Sequence, residues 1–308
     1  MVPSLRLKVL LVCLVAVFSL KVQSEDIFIN VGQANVKKSL LALPPLLYTG
    51  TNPGNKAHIQ AGQDLFKIIS NDLMVSGFFN FIKPEAFLED PAKVGLKPAP
   101  GTPNGFKFES WKTIGADFLV RGGYRVNGSN LSLEIYVYHV PQAKQIVGKT
   151  YEGNLSTVRQ MAHTFSNDIV KALTGKPASF LTKAVASVQT VGSKHKEIYT
   201  MDWDGANLRP ITSHKSIAIS PAWSPDGKKI AYTAFAYHTK AKTRNADLFV
   251  YDLTTDKRFL TSYRKGINSG AAFTPDGQHI LLTISQGGSP DIFRMTFDGK
   301  SLQRLTRG

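Results

Sequence analysis

The chain contains very little cysteine. Cys13 is the only cysteine in 308 residues, and it lies inside an apolar stretch near the N-terminus. If that stretch is removed on export, the remaining chain has no thiol, which excludes a disulfide framework and cysteine-based metal sites. The fold must then depend on its hydrophobic core, and a chain of this length can form one.

Motifs of common enzyme classes are also missing. The sequence has no Gly-x-Ser-x-Gly nucleophile elbow and no Gly-rich phosphate-binding loop. Its seven histidines do not fall into a metal-ligand spacing. We therefore expect a non-enzymatic protein without a metal or cofactor.

Acidic residues are scarce relative to basic ones. The chain has 22 Asp and Glu residues against 37 Lys and Arg residues, and its formal net charge is +15. Such a balance occurs in nucleic-acid-binding proteins. Here the cations are scattered, with pairs such as Lys37-Lys38 and Lys228-Lys229 as the densest clusters, and no binding motif accompanies them. We expect a solvated basic surface and no nucleic-acid partner.

The N-terminal stretch has the features of an export signal. Arg6 and Lys8 precede an apolar run from Val9 to Leu20, which is too short to span a bilayer comfortably. Val22-Gln23-Ser24 offers a cleavage site, so residues 1–24 are predicted to be a signal peptide. No other stretch is apolar for long enough to cross a membrane, and we expect a soluble, extracytoplasmic product.

An internal repeat is the most informative feature that is present. The phrase Ser220–Ile230, which reads SPAWSPDGKKI, recurs 50 residues later as GAAFTPDGQHI. A second phrase of strand-forming residues begins at Glu197, Asp247 and Asp291. Four short strands per unit at a period of 44 to 50 residues are typical of β-propeller blades.

The repeated turn has a clear physical role. Proline presets the φ angle of a turn, aspartate bonds its own backbone two residues on, and glycine supplies positive φ. We therefore expect Asp226 and Asp276 to be structural residues. Trp223 and Phe273, which precede the turns, are expected to pack between adjacent blades.

Residues 25 to about 178 show a different pattern of strands and helices. Strand-forming residues occupy 27–31. Helical spacing of apolar residues predicts helices over 61–76 and 157–174, with Thr157 and Gln160 as a capping box of the second. The pattern indicates a compact α/β domain of mixed order.

Three local features of this N-terminal part carry further predictions. Asn127-Gly128 between two alternating runs predicts a β-hairpin. The five prolines between Pro84 and Pro103 predict an irregular surface loop. His163 lies beside the apolar stripe of the second helix and is predicted to lie on the helix surface.

Motifs in both parts resemble the TolB family of cell-envelope proteins, and the resemblance spans nearly the whole mature chain. The N-terminal part has a helix end of the type D-L-x-x-S-G-x-F at 72–79, and Phe180–Lys183 resembles the usual domain junction. Further matching segments lie at 111–117, 162–168, 201–207 and 220–227.

The resemblance implies a fold of two domains. An N-terminal α/β domain over 25–178 is followed by an incomplete β-propeller over 179–308, with about three blades of a six-bladed type. A propeller avoids exposed strand edges by closing on itself. Three blades cannot close, so we expect the sequence to be a fragment of a longer protein.

The resemblance also implies a periplasmic protein of the Tol–Pal system. Family members bind the peptidoglycan-associated lipoprotein Pal through propeller loops, and bind TolA of the inner membrane through the mature N-terminus. They thereby support outer-membrane integrity and cell division. The residues implied at the TolA contact are Glu25, Asp26, Ile27, Phe28 and Ile29. Those implied at the Pal contact are Ser216, Ile217, Ala218, Ile267, Asn268, Ser269 and Gly270.

Within the Pal contact, Asn268 and Ser216 are expected to bond the partner's backbone. Ile267 stands where a histidine is frequent in relatives.

Two alternatives remain open at this point. Similar repeats precede the catalytic domain of prolyl-oligopeptidase-like serine peptidases, although the elbow motif of that domain is missing here. Alternatively, Tyr237 and Tyr263 could stack on sugars in a propeller that binds carbohydrate or peptidoglycan.

The export signal makes a direct prediction. Cleavage after Ser24 should give a mature protein that begins at Glu25, because the small residue closes the apolar segment. N-terminal sequencing of the exported protein checks this. Recovery of a membrane-bound form that keeps Met1 would contradict it.

Overall fold

A computed structural model describes residues 38–237 and 244–307 of the chain. The described residues form two compact units, with the division between Ala178 and Ser179. The predicted strand at 27–31 and the signal peptide lie outside the described residues. No helix within the described ranges is long and apolar enough to cross a membrane.

The first unit is built on a mixed sheet with the strand order β3-β1-β4-β5-β6, and β2 pairs with β4. Its strands are β1 (Ser39–Ala42), β2 (Leu47–Tyr48), β3 (Phe79–Phe81), β4 (Phe118–Asn127), β5 (Asn130–His139) and β6 (Lys144–Asn154). β4 and β5 form the hairpin predicted from Asn127-Gly128, and Gly128 adopts a φ of 60°. The hairpin prediction is confirmed.

Three helices accompany this sheet: α1 (Lys56–Val75), α2 (Phe108–Thr113) and α3 (Val158–Thr174). α1 begins five residues before the predicted start because Asn55 accepts hydrogen bonds from the backbone of Ala57 and His58. The capping box before α3 is made by Asn154 and Thr157 instead of Thr157 and Gln160.

His163 corrects another prediction, because it is buried between two helices instead of lying on a helix surface. Its Nδ1 is 2.8 Å from Oδ2 of Asp72, which is fully buried on α1. This contact joins α3 to α1 through their inner faces. The sequence pattern did not reveal this contact. A histidine beside an apolar helix stripe can be exposed, or it can be buried with a hydrogen-bonding partner.

The proline-rich segment is irregular, as predicted, but it is anchored on the sheet. Arg121 on β4 is fully buried, and its guanidinium donates to the backbone carbonyls of Pro91, Val94 and Gly95 at 2.7 to 3.3 Å. Burial lowers the pKa of Arg121 to about 10. The Tyr138 hydroxyl also donates to the Leu96 carbonyl. The segment therefore depends on one buried cation.

The second unit consists of three antiparallel sheets. The first sheet contains β7 (Lys183–Val188), β8 (Glu197–Asp202) and β9 (Arg209–Pro210). The second contains β10 (Ala218–Trp223), β11 (Lys229–Ala234), β12 (Asp247–Asp252) and β13 (Lys257–Ser262). The third contains β14 (Asn268–Phe273), β15 (His279–Ile284), β16 (Asp291–Thr296) and β17 (Leu302–Arg304).

Apolar side chains fill the space between neighbouring sheets. One core joins Ile198 of the first sheet to Tyr232 and Phe249 of the second, and Trp223 packs against it. A second core joins the second sheet to the third, and Phe273 packs against it. The predicted packing of Trp223 and Phe273 between sheets is confirmed.

The repeated turns have the predicted geometry. Asp226 accepts hydrogen bonds from the Ser224 hydroxyl and the Lys228 backbone, and Gly227 has a φ of 66°. Asp276 likewise accepts hydrogen bonds from the Thr274 hydroxyl and the Gln278 backbone N–H. These bonds lower the pKa of both aspartates, first through the hydroxyl and then through the backbone N–H. Both residues are structural, as predicted.

A bulge interrupts the first strand of each four-stranded sheet at the same repeat position. The register shifts between Ile219 and Ala222 and between Ser269 and Ala272. Ser220 and Gly270 have φ angles of 52° and 68° at the bulges. Only glycine adopts this left-handed conformation without cost, so the two repeats should differ in backbone strain.

We predict that Gly270→Ala lowers the free energy of unfolding by about 1 kcal/mol through backbone strain alone. An added Cβ would meet nothing closer than Thr283 Oγ1 at 3.7 Å. Ser220→Gly should not destabilise the protein. Gly287→Ala, at a glycine without positive φ, is the matched control and should change stability little. Urea denaturation followed by tryptophan fluorescence measures all three, and equal stability of Gly270→Ala and wild type would contradict the prediction.

Candidate functional site: the entry loops of the repeat

One set of connections in the second unit forms a continuous surface. It comprises the loop that leads into β8 and the loops that lead into the first and third strands of the two four-stranded sheets, and we call these the entry loops. Their described residues are 189–196, 211–217, 235–237, 244–246, 263–267 and 285–290. Backbone bonds join them: Lys196 donates to Ser216 O at 2.9 Å, and Ser285 donates to Ile267 O at 3.1 Å.

Two entry loops have the same exposure pattern. Lys215-Ser216-Ile217 and Lys265-Gly266-Ile267 lie 50 residues apart, and corresponding residues share the same exposure class along 211–220 and 261–270. Ile217 is 44% exposed and Ile267 is 48% exposed. Each loop therefore presents one lysine and one isoleucine to solvent.

The predicted Pal-contact residues divide into two groups in the structure. Ser216, Ile217 and Ile267 lie in the entry loops, and the Ser216 hydroxyl donates to the Phe235 carbonyl at 2.6 Å. Ala218 and Asn268 are the fully buried first residues of β10 and β14. The other two, Ser269 and Gly270, follow within β14.

The placement of Asn268 corrects the expectation that it bonds a partner. It is fully buried, and its Oδ1 accepts from the Ser262 hydroxyl and the Arg264 backbone. Its Nδ2 faces the carbonyls of Ala246, Arg264 and Gly266. Asn268 therefore fixes the 263–267 loop from inside, and no bonding group is left for a partner.

Glu197 fixes the equivalent loop of the preceding sheet. Its Oε2 accepts from the Thr212 hydroxyl at 2.5 Å, and its Oε1 accepts from the Lys215 backbone at 2.7 Å. Thr212 Oγ1 in turn accepts from the backbone of Ile198. The carboxylate thus holds both ends of the turn that presents Lys215.

The acidic residues that begin β12 and β16 are engaged in a similar way. Asp247, fully buried, accepts from Asn245 Nδ2 at 3.1 Å. Asp291 accepts from the Thr306 hydroxyl at 3.1 Å and contacts the Arg304 guanidinium. Glu197, Asp247 and Asp291 are the first residues of β8, β12 and β16, and all three carboxylates are bonded within the fold.

The entry loops are consequently basic. Among the described residues of the second unit, every other acidic side chain lies in or beside a hairpin turn. These residues are Asp202, Asp204, Asp226, Asp252, Asp256, Asp276 and Asp298. Exposed cations in the entry loops are Lys194, Lys196, Lys215, Arg244 and Lys265. The surface therefore combines positive charge with exposed apolar side chains.

His214 lies beneath this surface in the 211–217 loop. Its Nε2 is 2.9 Å from the Tyr232 hydroxyl, and its ring packs against Tyr232 and Phe249. Burial, with a smaller contribution from the Arg258 charge, lowers the pKa of His214 to about 4. The loop is therefore built around a neutral imidazole near pH 7.

Tyr237 and Tyr263, named for sugar stacking, are 61% and 49% exposed in the entry loops. Across residues 38–237 and 244–307, no group of three or more His, Cys, Asp or Glu side chains is placed to hold a metal ion. The predicted TolA-contact residues, Glu25, Asp26, Ile27, Phe28 and Ile29, lie outside the described residues.

The order of units defines a class of protein: an α/β domain followed by β-propeller repeats. Residues 28–146 match the family model of the TolB amino-terminal domain, and residues 170–308 match that of the TolB beta propeller domain. The chain belongs to the TolB family.

Relatives of known name agree with this assignment. The Tol-Pal system protein TolB of Desulfosudis oleivorans is 33% identical over 305 residues, covering 99% of this chain and 65% of the relative. That of Rickettsia prowazekii is 30% identical over 257 residues, covering 83% and 55%. The crystal structure of TolB from Acinetobacter baumannii aligns with a TM-score of 0.70 at 25% identity, covering 88% of this chain and 61% of that one. The chain thus spans about half to two thirds of the length of these relatives.

The half-buried His214 predicts an acid-sensitive loop. Its pKa in the folded protein, about 4, lies below its ordinary value of 6.5, so the unfolded chain binds more protons between these pH values. The stability that neutral His214 contributes is present above pH 6.5 and is lost as the pH falls towards 4. Melting temperatures measured between pH 7.5 and 4.5 should fall more steeply for wild type than for His214→Gln. The exposed His195→Gln serves as control, and identical slopes for all three would contradict the prediction.

Proposed function

We propose that this chain is a non-enzymatic periplasmic scaffold of the Tol–Pal envelope system. The single observation that carries the proposal is the presence of both TolB domain types, in family order, in one chain. The names of the relatives assign those proteins to the Tol–Pal system. In this role the protein supports outer-membrane integrity and cell division by linking envelope components.

Each region of the chain has its own task in this function. Residues 1–24 direct export, residues 25–178 form the N-terminal domain, and residues 179–308 form about three blades of a six-bladed propeller. Glu25 to Ile29 bind a TolA-like inner-membrane protein. A terminal segment of strand-forming residues suits this contact, because such a segment can add to the edge of a partner's sheet.

The entry loops are proposed to bind a Pal-like lipoprotein. Ile217 and Ile267 are exposed there on turns that Glu197 and Asn268 hold from inside. Pre-ordered loops lose little conformational entropy on binding, which favours a stable protein contact. Ser216, Ile217 and Ile267 are the proposed contact residues within the entry loops, and Ser269 and Gly270 stay proposed contacts at the start of β14. Glu197 holds the first of these loops, and Asn268 holds the second.

A pull-down with two partners tests the proposal. The exported protein should retain the periplasmic domain of the Pal-like lipoprotein and that of the TolA-like protein from the same genome. Deletion of residues 25–31 should abolish TolA retention and leave Pal retention unchanged, since the two contacts use separate regions. Purified peptidoglycan is tested as a third ligand, and the exported protein should not bind it. Retention of peptidoglycan without either protein would overturn the proposal in favour of a carbohydrate-binding propeller.

A further inference from the structure

The exposed charges of the entry-loop surface are of one sign, which narrows the kind of partner it can bind. All three acidic residues that reach it, Glu197, Asp247 and Asp291, are engaged by neighbouring side chains or backbone. The exposed charges that remain on its described residues are cations. A cationic surface of this kind attracts an acidic partner and repels a basic one.

The apolar side chains of the surface follow the cations with a fixed spacing. In each of two loops an exposed isoleucine stands two residues after an exposed lysine, as Lys215 with Ile217 and Lys265 with Ile267. The loops lead into neighbouring packed sheets, which are about 10 Å apart in proteins. The surface therefore repeats one Lys-x-Ile unit from sheet to sheet.

We propose that the entry loops recognise an acidic protein surface on which carboxylates lie beside exposed apolar side chains, one such pair for each Lys-x-Ile loop. This inference rests on the proposed function and specifies the chemistry of the partner. Each lysine selects a carboxylate, and each isoleucine is buried against the adjoining apolar group. The charge contact and the apolar contact act together, because the turn fixes the lysine and the isoleucine relative to each other.

A protein partner fits this surface better than a nucleic acid does. A phosphate backbone would pair with the lysines but would leave both isoleucines without an apolar counterpart, and base recognition relies on stacking or groove contacts. Burial of apolar groups at the centre of a contact is a property of protein interfaces. Nucleic-acid binding is accordingly an outcome that the test must be able to detect.

The first experiment measures the affinity of the Pal-like domain by calorimetry at low and at physiological salt. Lys215→Glu with Lys265→Glu should weaken binding at least tenfold and abolish most of its salt dependence. Ile217→Ser with Ile267→Ser should weaken it about tenfold with the salt dependence unchanged, because only apolar burial is removed. Lys228→Glu with Lys257→Glu makes the same charge change on hairpin turns, and its affinity should stay within about twofold of wild type.

The outcomes separate the inference from the proposed function. If wild type binds the Pal-like domain but the entry-loop variants and the hairpin-turn control bind equally well, the partner chemistry proposed here is wrong while the scaffold function stands. If wild type does not bind the Pal-like domain, the scaffold proposal fails, and the surface is then tested with small probes.

The small probes are octanoate and octylammonium, added to full-length protein with labelled isoleucine methyl groups. Octanoate, which joins a carboxylate to an apolar chain, should shift the methyl resonances of Ile217 and Ile267, and octylammonium should not. Equal shifts with both probes, or none, would overturn the inference. So would a short DNA duplex that perturbs the same loops at lower concentration than octanoate, since this would show that phosphate is the preferred ligand.

Discussion

The second unit depends on one short-range interaction, in which an aspartate accepts a backbone N–H two residues ahead of it. Asp226, Asp276 and Asp298 each do so at 3.0 to 3.1 Å, and each also accepts from a hydroxyl two residues before it. This interaction closes a hairpin within a few residues, so successive strands pair and the sheets can stack. It also confines these acidic side chains to hairpin turns, and the basic character of the entry loops follows from that.

The first unit depends on a long-range interaction of a different kind. Arg121 connects the centre of the sheet to carbonyls that lie 26 to 30 residues earlier in the chain. A buried guanidinium is tolerated because most of its donors are paired with carbonyls, and its removal would leave those carbonyls without partners. The proline-rich segment thus acquires a fixed path, although its only regular element is a short 3-10 helix over Pro84–Ala86.

Local signals in the sequence predict much of this fold, and their failures share a cause. Asn127-Gly128 and the Pro-Asp-Gly turns are correct because each acts within a few residues. The roles of His163, Arg121 and Asn268 could not be predicted, because their partners lie elsewhere in the fold or emerge only when a loop closes. Asn268 is an example, since a polar residue beside an exposed loop suggests a partner contact until its five internal hydrogen bonds to four residues are known. The Lys-x-Ile units, in contrast, were detectable by aligning the repeats 50 residues apart.

The separation of charge in the second unit gives it an electrical polarity. Asp226 and Asp276 lie in the turns that follow β10 and β14, the strands that begin at the cationic loops, and a strand of six residues is about 20 Å long. The centre of positive charge is therefore displaced from the centre of negative charge roughly along these strands. In the field of a charged neighbour such a molecule experiences a torque before any atoms touch. Near a negatively charged surface, the second unit would therefore turn its cationic loops towards that surface.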